Sequence, residues 1–321
     1  IKILRSDRRK NSFFHQCLKF FEISFNFFYF EIKKLTIRPK VIHYQYFPLI
    51  EHLPYIEFLL LKRTRRLGIK IIYTVHNILP HNSGDRFILV YTKLYGLCDS
   101  LIVHTDESFL RLVNEFDVPR SKIHIIPHGE LSLKDDSSGD NISYKYHDEL
   151  ANKQVVLCFG RISRYKGIEN LIDASLYFCN PRTVLLIVGN GDEEYINQLK
   201  VQGIKQEARN IIFDNRFLPE TELYDLLKLV DIVVFPYLKI TQSGAVISAL
   251  SQGKPVICSD LTAFRELIDN KVNGEIVNCE DPLLLSNRIR YLLDNNEYRL
   301  GIGLNAKKIV RAFYGGEAIK F

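Results

Sequence analysis

The stretch that most constrains the fold is Asp231–Asp260, which reads DIVVFPYLKITQSGAVISALSQGKPVICSD. It predicts, in order, a strand, a loop, a helix, a tight turn and a second strand. The apolar run Asp231–Tyr237, rich in β-branched and aromatic residues, is typical of a strand buried in a parallel sheet. Cap-type residues and a glycine at 241–244 precede a compact apolar helical face, Ala245–Leu250. Such a unit is characteristic of layered α/β folds.

The predicted N-terminus of this helix, at Ser243 and Gly244, is a candidate anion-binding site. Free backbone N–H groups and the positive end of the helix dipole point out of such a turn. Gly244 would let a ligand approach the backbone closely, so a bound diphosphate would be stabilised there. An ordinary capped crossover helix would give the same local pattern, because most capped helices bind nothing.

Strand and helix signals alternate along most of the chain. Its 321 residues exceed what one hydrophobic core usually spans, about 250 to 300 residues, so two domains are expected. A polar, turn-rich segment, LKDDSSGDN at 133–141, is the candidate linker. We predict a first domain at 1–150, a second at 151–305, and a C-terminal helix at 306–321 whose expected place is back on the first domain.

Each half contains short apolar runs of strand type, separated by amphipathic stretches of helical type. The predicted strands are Ile1–Leu4, Val41–Phe47, Lys70–Val75, Leu101–His104, Ile123–Ile126, Gln154–Phe159, Val184–Gly189, Asn210–Phe213 and Asp231–Tyr237. The clearest predicted helices are Tyr55–Arg66, Gly167–Phe178, Asp192–Lys200 and Glu220–Val230. The alternation predicts an α/β fold of two Rossmann-like, doubly wound parallel sheets, with ligands at the carboxyl ends of the strands.

The cysteine pattern bears on location. Six cysteines are scattered, with no C-x-x-C pair and no matching histidine spacing, so neither a zinc site nor a disulfide framework is expected and a reducing cytoplasm is favoured. No secretory signal is visible. The most apolar early stretch, Phe13–Phe30, is interrupted by His15, Lys19 and Glu22, and no spanning helix is predicted.

Basic charge is concentrated early in the chain, where residues 1–70 hold 15 Lys and Arg against 5 Asp and Glu. Each basic residue near an anionic leaflet contributes about 1 kcal/mol, so we predict reversible docking to the inner face of a membrane. Nucleic acid is the rival partner, but no nucleic-acid-binding motif surrounds the basic clusters. A solvated face over an aromatic core explains any single cluster equally well. The clusters are Arg8-Arg9-Lys10, Lys33-Lys34, Lys62-Arg63 and Arg65-Arg66.

A second basic motif, FGRISRYKG, directly follows the predicted strand Gln154–Phe159. Arg161 and Lys166 would therefore lie at a carboxyl end of the sheet and at the start of a helix. A guanidinium fork that binds bidentately and a mobile ammonium suit a diphosphate. Surface basic residues of an ordinary loop are the alternative.

Histidines follow two predicted strands. His76, in IIYTVHNILPHN, comes just after Lys70–Val75, and His128, in IPHG, follows Ile123–Ile126. A histidine at a strand end is a candidate catalytic group, although a structural histidine with satisfied hydrogen bonds is the commoner case. His128 is equally well explained as a residue that shapes a turn.

Taken together, these motifs resemble a retaining GT-B glycosyltransferase of the broad family 4 type. The motifs that carry the resemblance are TVHNILPH at 74–81, IPHG at 126–129, GRISRYKG at 160–167, GNG at 189–191 and QSGAVISALSQGKPVI at 242–257. The resemblance implies two Rossmann-like domains that face each other across a cleft. The C-terminal domain would hold a nucleotide-sugar donor, and the N-terminal domain would receive the acceptor.

The resemblance also implies roles for single residues. Arg161 and Lys166 would hold the donor diphosphate and offset leaving-group charge, a task that other transferases give to a metal. No Asp-x-Asp motif is apparent, and neither a metal nor another cofactor is expected. His76 would be the catalytic histidine that contacts the donor sugar near the reacting carbon. The remaining implied positions are Ser243 and Gly244 for the diphosphate, Arg216 and Phe217 near the base, and His81 with Arg8, Arg9 and Lys10 on the acceptor or membrane side.

One departure from the family pattern concerns the donor sugar and ribose. Two glutamates eight residues apart, the second of which binds ribose, are replaced here by Ile240 and Ser248. Neither position carries a carboxylate, so ribose recognition must differ and involve Ser248 or the backbone. The contacts of the first glutamate would pass to Gln242 or to backbone groups.

The sequence therefore predicts a cytoplasmic hexosyltransferase, peripheral to the membrane. It would move a hexose-type sugar from a nucleoside-diphosphate donor to a glycan or polyprenyl-linked acceptor in polysaccharide or glycoconjugate biosynthesis. Two alternatives stay open. A nucleotide-sugar epimerase of the same fold would need acid–base carboxylates in the cleft, and a catalytically inactive nucleotide-sugar-binding scaffold would need none.

Overall fold

The computed structural model describes residues 25–26, 28–80, 84–126, 145–206, 210–240 and 243–314. Contacts divide the chain into two compact units. One comprises Ile1–Val103 and Phe109–Ile125, and the other His104–Ser108 and Ile126–Phe321. The predicted strand Ile1–Leu4 and the predicted linker at 133–141 lie outside the described residues.

The first unit contains a four-stranded parallel sheet in the order β1-β2-β3-β4. Its core is formed by apolar side chains of the strands and of the helices beside them, including Phe58, Leu61, Ile71, Leu94 and Leu101. The strands are β1 (Val41–Tyr44), β2 (Lys70–Thr74), β3 (Ser100–Val103) and β4 (Ile123–Ile125). The helices are α1 (residues 25–26 and 28–37), α2 (Pro54–Arg66), α3 (Ile88–Leu97) and α4 (Asp106–Phe116).

The second unit contains a six-stranded parallel sheet in the order β10-β9-β8-β5-β6-β7. The strands are β5 (Gln154–Phe159), β6 (Thr183–Val188), β7 (Ile211–Asp214), β8 (Ile232–Phe235), β9 (Val256–Ser259) and β10 (Glu275–Val277). The helices are α5 (His147–Leu150), α6 (Ile168–Phe178), α7 (Glu193–Lys205), α8 (Glu220–Leu229), α9 (Gly244–Ser251), α10 (Thr262–Arg265), α11 (Pro282–Asp294) and α12 (Asn296–Tyr314).

Both faces of the second sheet are buried. Alternate residues of a strand point to opposite faces, and in β5 Val155 and Leu157 join one apolar cluster while Val156 and Cys158 join another. Residues of α8, α9 and α12 complete the first cluster, and residues of α6, α7 and α11 complete the second. A continuous apolar run in a strand therefore means helices on both faces, which confirms the predicted doubly wound sheet.

The predicted elements correspond closely to the observed ones. β5 has the predicted bounds, and the stretch Asp231–Asp260 folds as β8, α9 and β9. The strand predicted to end at Phe47 ends at Tyr44, and β10 was not predicted. Residues 306–314 are not a separate helix but the second half of α12, which begins at Asn296 and packs on α9 and α11.

Candidate functional site

The strand order of the second unit places a crevice between two particular loops. From β5 the chain runs outward to β6 and β7 on one side, and β8, β9 and β10 lie on the other side. Strand order thus reverses between β5 and β8, and ligands of doubly wound sheets bind at the carboxyl ends of the strands at such a point. The loop after β5 carries Arg161 and Lys166, and the chain after β8 leads to Ser243 and Gly244.

One glycine allows these loops to approach each other closely, and a second makes room for Lys166 within its own loop. Gly167 has φ +59°, and a Cβ added there would lie 2.1 Å from the carbonyl oxygen of Pro236. Gly160 has φ +110°, and a Cβ there would lie 2.9 Å from Nζ of Lys166. A backbone hydrogen bond of 2.8 Å, donated by Leu238 N–H to Tyr165 C=O, joins the loops. A side chain at either glycine would disrupt this arrangement.

Lys166 is a buried cation, with only 6% of its surface exposed. Its Nζ donates a 2.6 Å hydrogen bond to the Tyr237 hydroxyl and lies 4.4 Å from the centroid of that ring. In the part of the chain that the structure describes, Lys166 forms no ion pair with a carboxylate. Burial lowers the pKa of Lys166 to about 8. A bound anion would supply the missing negative charge.

Tyr237 connects Lys166 to the N-terminus of α9. Its side chain is almost fully buried and shares a second hydrogen bond with the hydroxyl group of Ser243. Ser243 is the N-cap of α9, where its Oγ accepts a 3.4 Å hydrogen bond from Val246 N–H. Burial raises the pKa of Tyr237 well above its usual value, so the hydroxyl stays neutral. The Tyr237 hydroxyl therefore contacts both the Lys166 ammonium and the N-cap residue of α9, so the cation lies close to the positive end of the α9 dipole.

A cavity of about 360 Å³ lies at these loops. Five residues singled out from the sequence line it, namely Arg161, Arg216, Phe217, Gly244 and Ser248. Apolar walls come from Phe159, Val188, Leu218, Leu223 and Ala245. Cavities of a few hundred Å³, mostly apolar with a few polar groups, are typical of small-molecule sites.

The two arginines of the cavity differ in what balances their charge. Arg161 is exposed and makes no ion pair among the described residues. Arg216, in contrast, donates to Asp214 at 2.9 and 3.0 Å and to Glu222 at 2.7 Å. Its hydrogen bonds with Glu222 and then Asp214 raise its pKa further above its ordinary value. Arg161 can therefore bind an anion, whereas Arg216 fixes the loop after β7.

That loop presents an aromatic ring to the cavity. Phe217 lines it with 71% of its side chain exposed. An exposed aromatic face on a loop held by the Arg216 ion pairs offers a surface on which a planar base can stack.

The positions where the sequence lacks the expected glutamates have different surroundings. Ile240 packs against the apolar cluster of the second unit and supplies no polar group. Ser248 is buried, and its hydroxyl donates a 2.9 Å hydrogen bond to Gly244 C=O, within α9. Because the hydroxyl proton of Ser248 is used in this bond, its oxygen can only accept a hydrogen bond from a ligand. Gln242 lies outside the described residues.

In the first unit, His76 follows β2 and is exposed. Its Nε2 lies 2.8 Å from Oε1 of Gln45. Nε2 of Gln45 lies 3.1 Å from Nε2 of His43, which in turn lies 2.7 Å from Oγ1 of Thr74. An amide oxygen only accepts, so these contacts assign the His76 proton to Nε2. Neither Gln45 nor His43 was predicted from the sequence, although both lie at the carboxyl end of β1.

Several predicted residues lie outside the described part of the chain, namely Arg8, Arg9, Lys10 and His81. Among the described residues, no group of three or more His, Cys, Asp or Glu side chains could hold a metal ion. The same residues contain no helix that is both long and apolar enough to cross a membrane.

A larger cavity of about 820 Å³ lies elsewhere in the second unit. It is lined by residues around α10, including Asp260, Arg265 and Glu266, and by none of the predicted site residues. Arg265 is paired with Asp260, which lowers the pKa of that carboxyl group. Its positive charge is therefore already offset, unlike that of Arg161 and Lys166.

Two family models match the chain. Residues 145–309 match the model for Glycosyl transferases group 1, and residues 5–129 match that for Glycosyltransferase Family 4. The D-inositol 3-phosphate glycosyltransferase of Corynebacterium efficiens is 26% identical over 259 residues, which are 77% of this chain and 60% of the relative. The phosphatidyl-myo-inositol mannosyltransferase of Mycobacterium leprae is 29% identical over 153 residues, 46% of this chain and 39% of the relative. The chain spans less than two thirds of the length of these curated relatives.

Solved structures share the fold. HepE of Anabaena, crystallised with UDP and glucose, has a TM-score of 0.75 and 19% identity, with 88% of this chain and 76% of HepE covered. Sucrose-phosphate synthase of Thermosynechococcus elongatus has a TM-score of 0.72 and 21% identity, with 90% of this chain and 73% of that enzyme covered. The two-domain parallel α/β architecture predicted from the sequence is confirmed by these likenesses.

Proposed function

We propose, from the premise that this chain belongs to the Glycosyl transferases group 1 family, that it moves a hexose-type sugar from a nucleoside-diphosphate donor to a glycan or polyprenyl-linked acceptor. We place the donor diphosphate between Arg161, Lys166 and the N-terminus of α9. The pathway proposed is polysaccharide or glycoconjugate biosynthesis.

The observation that carries this proposal is that the buried ammonium of Lys166 pairs with no carboxylate among the described residues. A buried ammonium without a carboxylate partner is unfavourable unless an anion accompanies it. Arg161, which also lacks a carboxylate partner among the described residues, lies in the same loop. Backbone N–H groups of α9 add a third source of positive potential. A diphosphate matches two cations and a helix terminus better than a single carboxylate does.

The same groups fit the chemistry of sugar transfer. When the bond between sugar and diphosphate breaks, negative charge grows on the leaving diphosphate, and fixed positive groups stabilise it. We propose that Arg161 and Lys166 supply this stabilisation without a metal, and that transfer retains the anomeric configuration. His76 is proposed to hydrogen bond to the donor sugar near the reacting carbon.

The nucleotide is proposed to extend into the cavity lined by Phe217, where the base stacks. HepE was crystallised with UDP and with UDP-glucose, so uridine nucleotides are the first to test. Ser248 and Gln242 are proposed to meet the ribose or the sugar in place of carboxylates.

We also propose that the protein works at the cytoplasmic face of a membrane, where a polyprenyl-linked acceptor would be found. The excess of basic residues within 1–70 supports this location. The cluster Arg8, Arg9 and Lys10 is the part proposed from the sequence. Replacing all three with Ala should weaken sedimentation with liposomes.

Product analysis tests the proposed reaction. A nucleotide-sugar labelled in the sugar is incubated with the protein, with and without an oligosaccharide or lipid-linked acceptor. A labelled glycoside that forms only with acceptor is the expected result. Lys166→Ala should lower kcat/KM about 10²- to 10³-fold, because it removes a fixed charge that stabilises the leaving group.

Other outcomes of that experiment would contradict the proposal. An isomerised sugar nucleotide, formed without acceptor, would identify an epimerase. Donor that binds and is recovered unchanged with every acceptor would indicate a scaffold. Chelation by EDTA is the accompanying control, since loss of transfer would contradict the proposed independence from metal.

A further inference from the structure

The solvent-exposed side of α2, in the first unit, has an unusual composition. Tyr55, Ile56 and Leu59 are exposed by 83%, 45% and 65%. A turn further on, Lys62, Arg63 and Arg66 are exposed too. Isolated exposed apolar residues are ordinary, but a contiguous apolar patch next to a basic cluster marks an interaction surface. These six residues are called the α2 face below.

The α2 face is distinct from the side that holds α2 in the fold. Phe58 and Leu61 lie buried in the apolar core, together with Glu57 and Thr64. Residues three, four and seven positions apart share one side of a helix. The spacing from Tyr55 through Leu59 to Lys62 and Arg66 therefore forms a second stripe, apolar at its start and basic at its end.

The basic end of the stripe has no carboxylate partner within the described ranges of the chain. The single acidic residue of α2 is Glu57, which is buried and accepts a 3.0 Å hydrogen bond from Leu49 N–H. In the described part of the chain, Lys62, Arg63 and Arg66 form no ion pair. Their charge is therefore available to an external anionic surface.

The apolar end extends beyond α2. Leu53, just before the helix, is half exposed, and Leu89 of α3 is 85% exposed. Nζ of Lys93 lies 4.7 Å from the centroid of the Phe58 ring, so α3 runs beside α2. Leu89 is one turn before Lys93 on the same side of α3. Exposed apolar residues therefore occur on both of these adjacent helices.

We propose that the α2 face docks onto the surface of an anionic phospholipid bilayer. Tyr55, Ile56 and Leu59 would enter the boundary between head groups and acyl chains. Lys62, Arg63 and Arg66 would keep their charges among the lipid phosphates while their methylene stems lie against apolar groups. The inference rests on the membrane association proposed above and adds the surface that achieves it.

The charge pattern favours a bilayer over a second copy of the chain. In a two-fold dimer the same patch meets itself, so each basic end would lie against either the basic or the apolar end of the partner's stripe, and neither end carries a carboxylate. An anionic bilayer presents apolar acyl chains and negative phosphates within one thin interface. The apolar half of the stripe would then contact acyl chains while the basic half contacts phosphates.

Co-sedimentation of the full chain with vesicles tests the inference. The probes are pure phosphatidylcholine vesicles and vesicles in which about 30% of the lipid is phosphatidylserine. One variant carries Lys62→Ala, Arg63→Ala and Arg66→Ala, and another carries Tyr55→Ser and Leu59→Ser. A charge-matched control carries Lys205→Ala, Lys271→Ala and Lys308→Ala, three exposed lysines of the second unit.

The wild type and the control should bind the anionic vesicles, and bind phosphatidylcholine far more weakly. The basic triple variant should lose on the order of a hundredfold in partitioning to anionic vesicles. The variant with Tyr55→Ser and Leu59→Ser should also bind anionic vesicles less tightly than the wild type. This difference should persist at high salt, because salt screens charge interactions but not the burial of apolar side chains. Unchanged melting temperatures would show that the variants fold.

Two results would overturn the inference. One is a failure of specificity in vesicle binding: either the α2 variants bind as tightly as the wild type, or the lysine control loses as much binding as the basic triple variant. The other is a wild-type dimer that becomes monomeric in the Tyr55 and Leu59 variant, which would make the face a contact between copies. Nucleotide binding is measured in the same samples, so a failed donor site with intact vesicle binding would contradict the proposed reaction and leave this inference standing.

Discussion

At the scale of single residues, the ionisation of Lys166 is the property that most directly links structure to donor binding. Burial lowers its pKa to about 8, so the unliganded site loses its ammonium charge as the pH rises through that value. A bound diphosphate favours the charged form and raises the pKa again. Between about pH 8 and the ordinary pKa of 10.5, Lys166 binds more protons in the unfolded state than in the folded state. Without ligand, the free energy of unfolding should therefore rise with pH in this range, because burying the neutral amine costs less than burying the ammonium.

Donor affinity should therefore depend on pH. The Kd for a nucleoside diphosphate should be flat below about pH 8 and rise by up to about tenfold per pH unit above it. Titration calorimetry at a series of pH values between roughly 7 and 9.5 measures this. Lys166→Arg is the matched variant, since a guanidinium stays charged and its profile should be flat. An equal rise in Kd for both proteins would contradict the assignment.

His76 and Gln45 give a second test on this scale. The amide oxygen of Gln45 holds the Nε2 proton of His76, so Gln45 positions the proposed catalytic histidine. Gln45→Met, similar in size but without the acceptor, should lower kcat about tenfold with little change in KM. His76→Ala should cost about a hundredfold in kcat. Gln45→Glu keeps an acceptor and should restore most of the rate, whereas equal losses in both Gln45 variants would mean that the hydrogen bond does not matter.

At the scale of elements, the close approach of the loops after β5 and β8 depends on Gly167. Gly167→Ala places a Cβ against Pro236 C=O in a left-handed backbone conformation, and should cost more than about 2 kcal/mol in the free energy of unfolding while weakening donor binding. Gly301→Ala is the control, because this glycine in α12 has open space around it. That change should stabilise the protein by up to about 1 kcal/mol. Denaturant unfolding measures both, and a neutral Gly167→Ala would contradict the loop geometry.

The elements were predictable where local pattern and burial agree. β5 is Gln154 followed by five apolar residues buried on both sides, and its bounds follow from this local pattern. β10 was missed because it has three residues and begins with Glu275, whose buried carboxylate is paired with Arg288 of α11. A short strand with a charged residue gives no apolar run.

The site was predictable only in part, for a related reason. Arg161 and Lys166 lie in one local motif, and Ser243 and Gly244 lie in another. Local motifs of this kind can be recognised from the sequence. The hydrogen bond between Lys166 and Tyr237 joins residues 71 positions apart, and nothing in either local pattern indicates it. The pairing of Arg216 with Glu222 likewise became visible only in three dimensions.

At the scale of the whole molecule, the two parallel sheets divide the proposed tasks. The second unit has the charge, glycine geometry and cavity for a nucleotide diphosphate. The first unit has His76 and, on the α2 face, a surface suited to anionic lipid. The match to Glycosyl transferases group 1 over residues 145–309 coincides with the unit that holds the candidate donor site.

The donor site is tested most directly by measuring whether a nucleoside diphosphate binds at the loops after β5 and β8. Thermal melting is followed with UDP, GDP, ADP and their common sugars, for the wild type, Arg161→Ala and Arg164→Ala. Arg164 lies in the same loop but bonds Gln198 and stacks on Tyr195, so it serves as the control. At about 100 times its Kd, a ligand adds about 2.7 kcal/mol, roughly 5 to 10 °C in melting temperature. One nucleotide class should give this shift in the wild type and in Arg164→Ala but not in Arg161→Ala. No shift with any nucleotide, or an undiminished shift in Arg161→Ala, would contradict a diphosphate site at these loops.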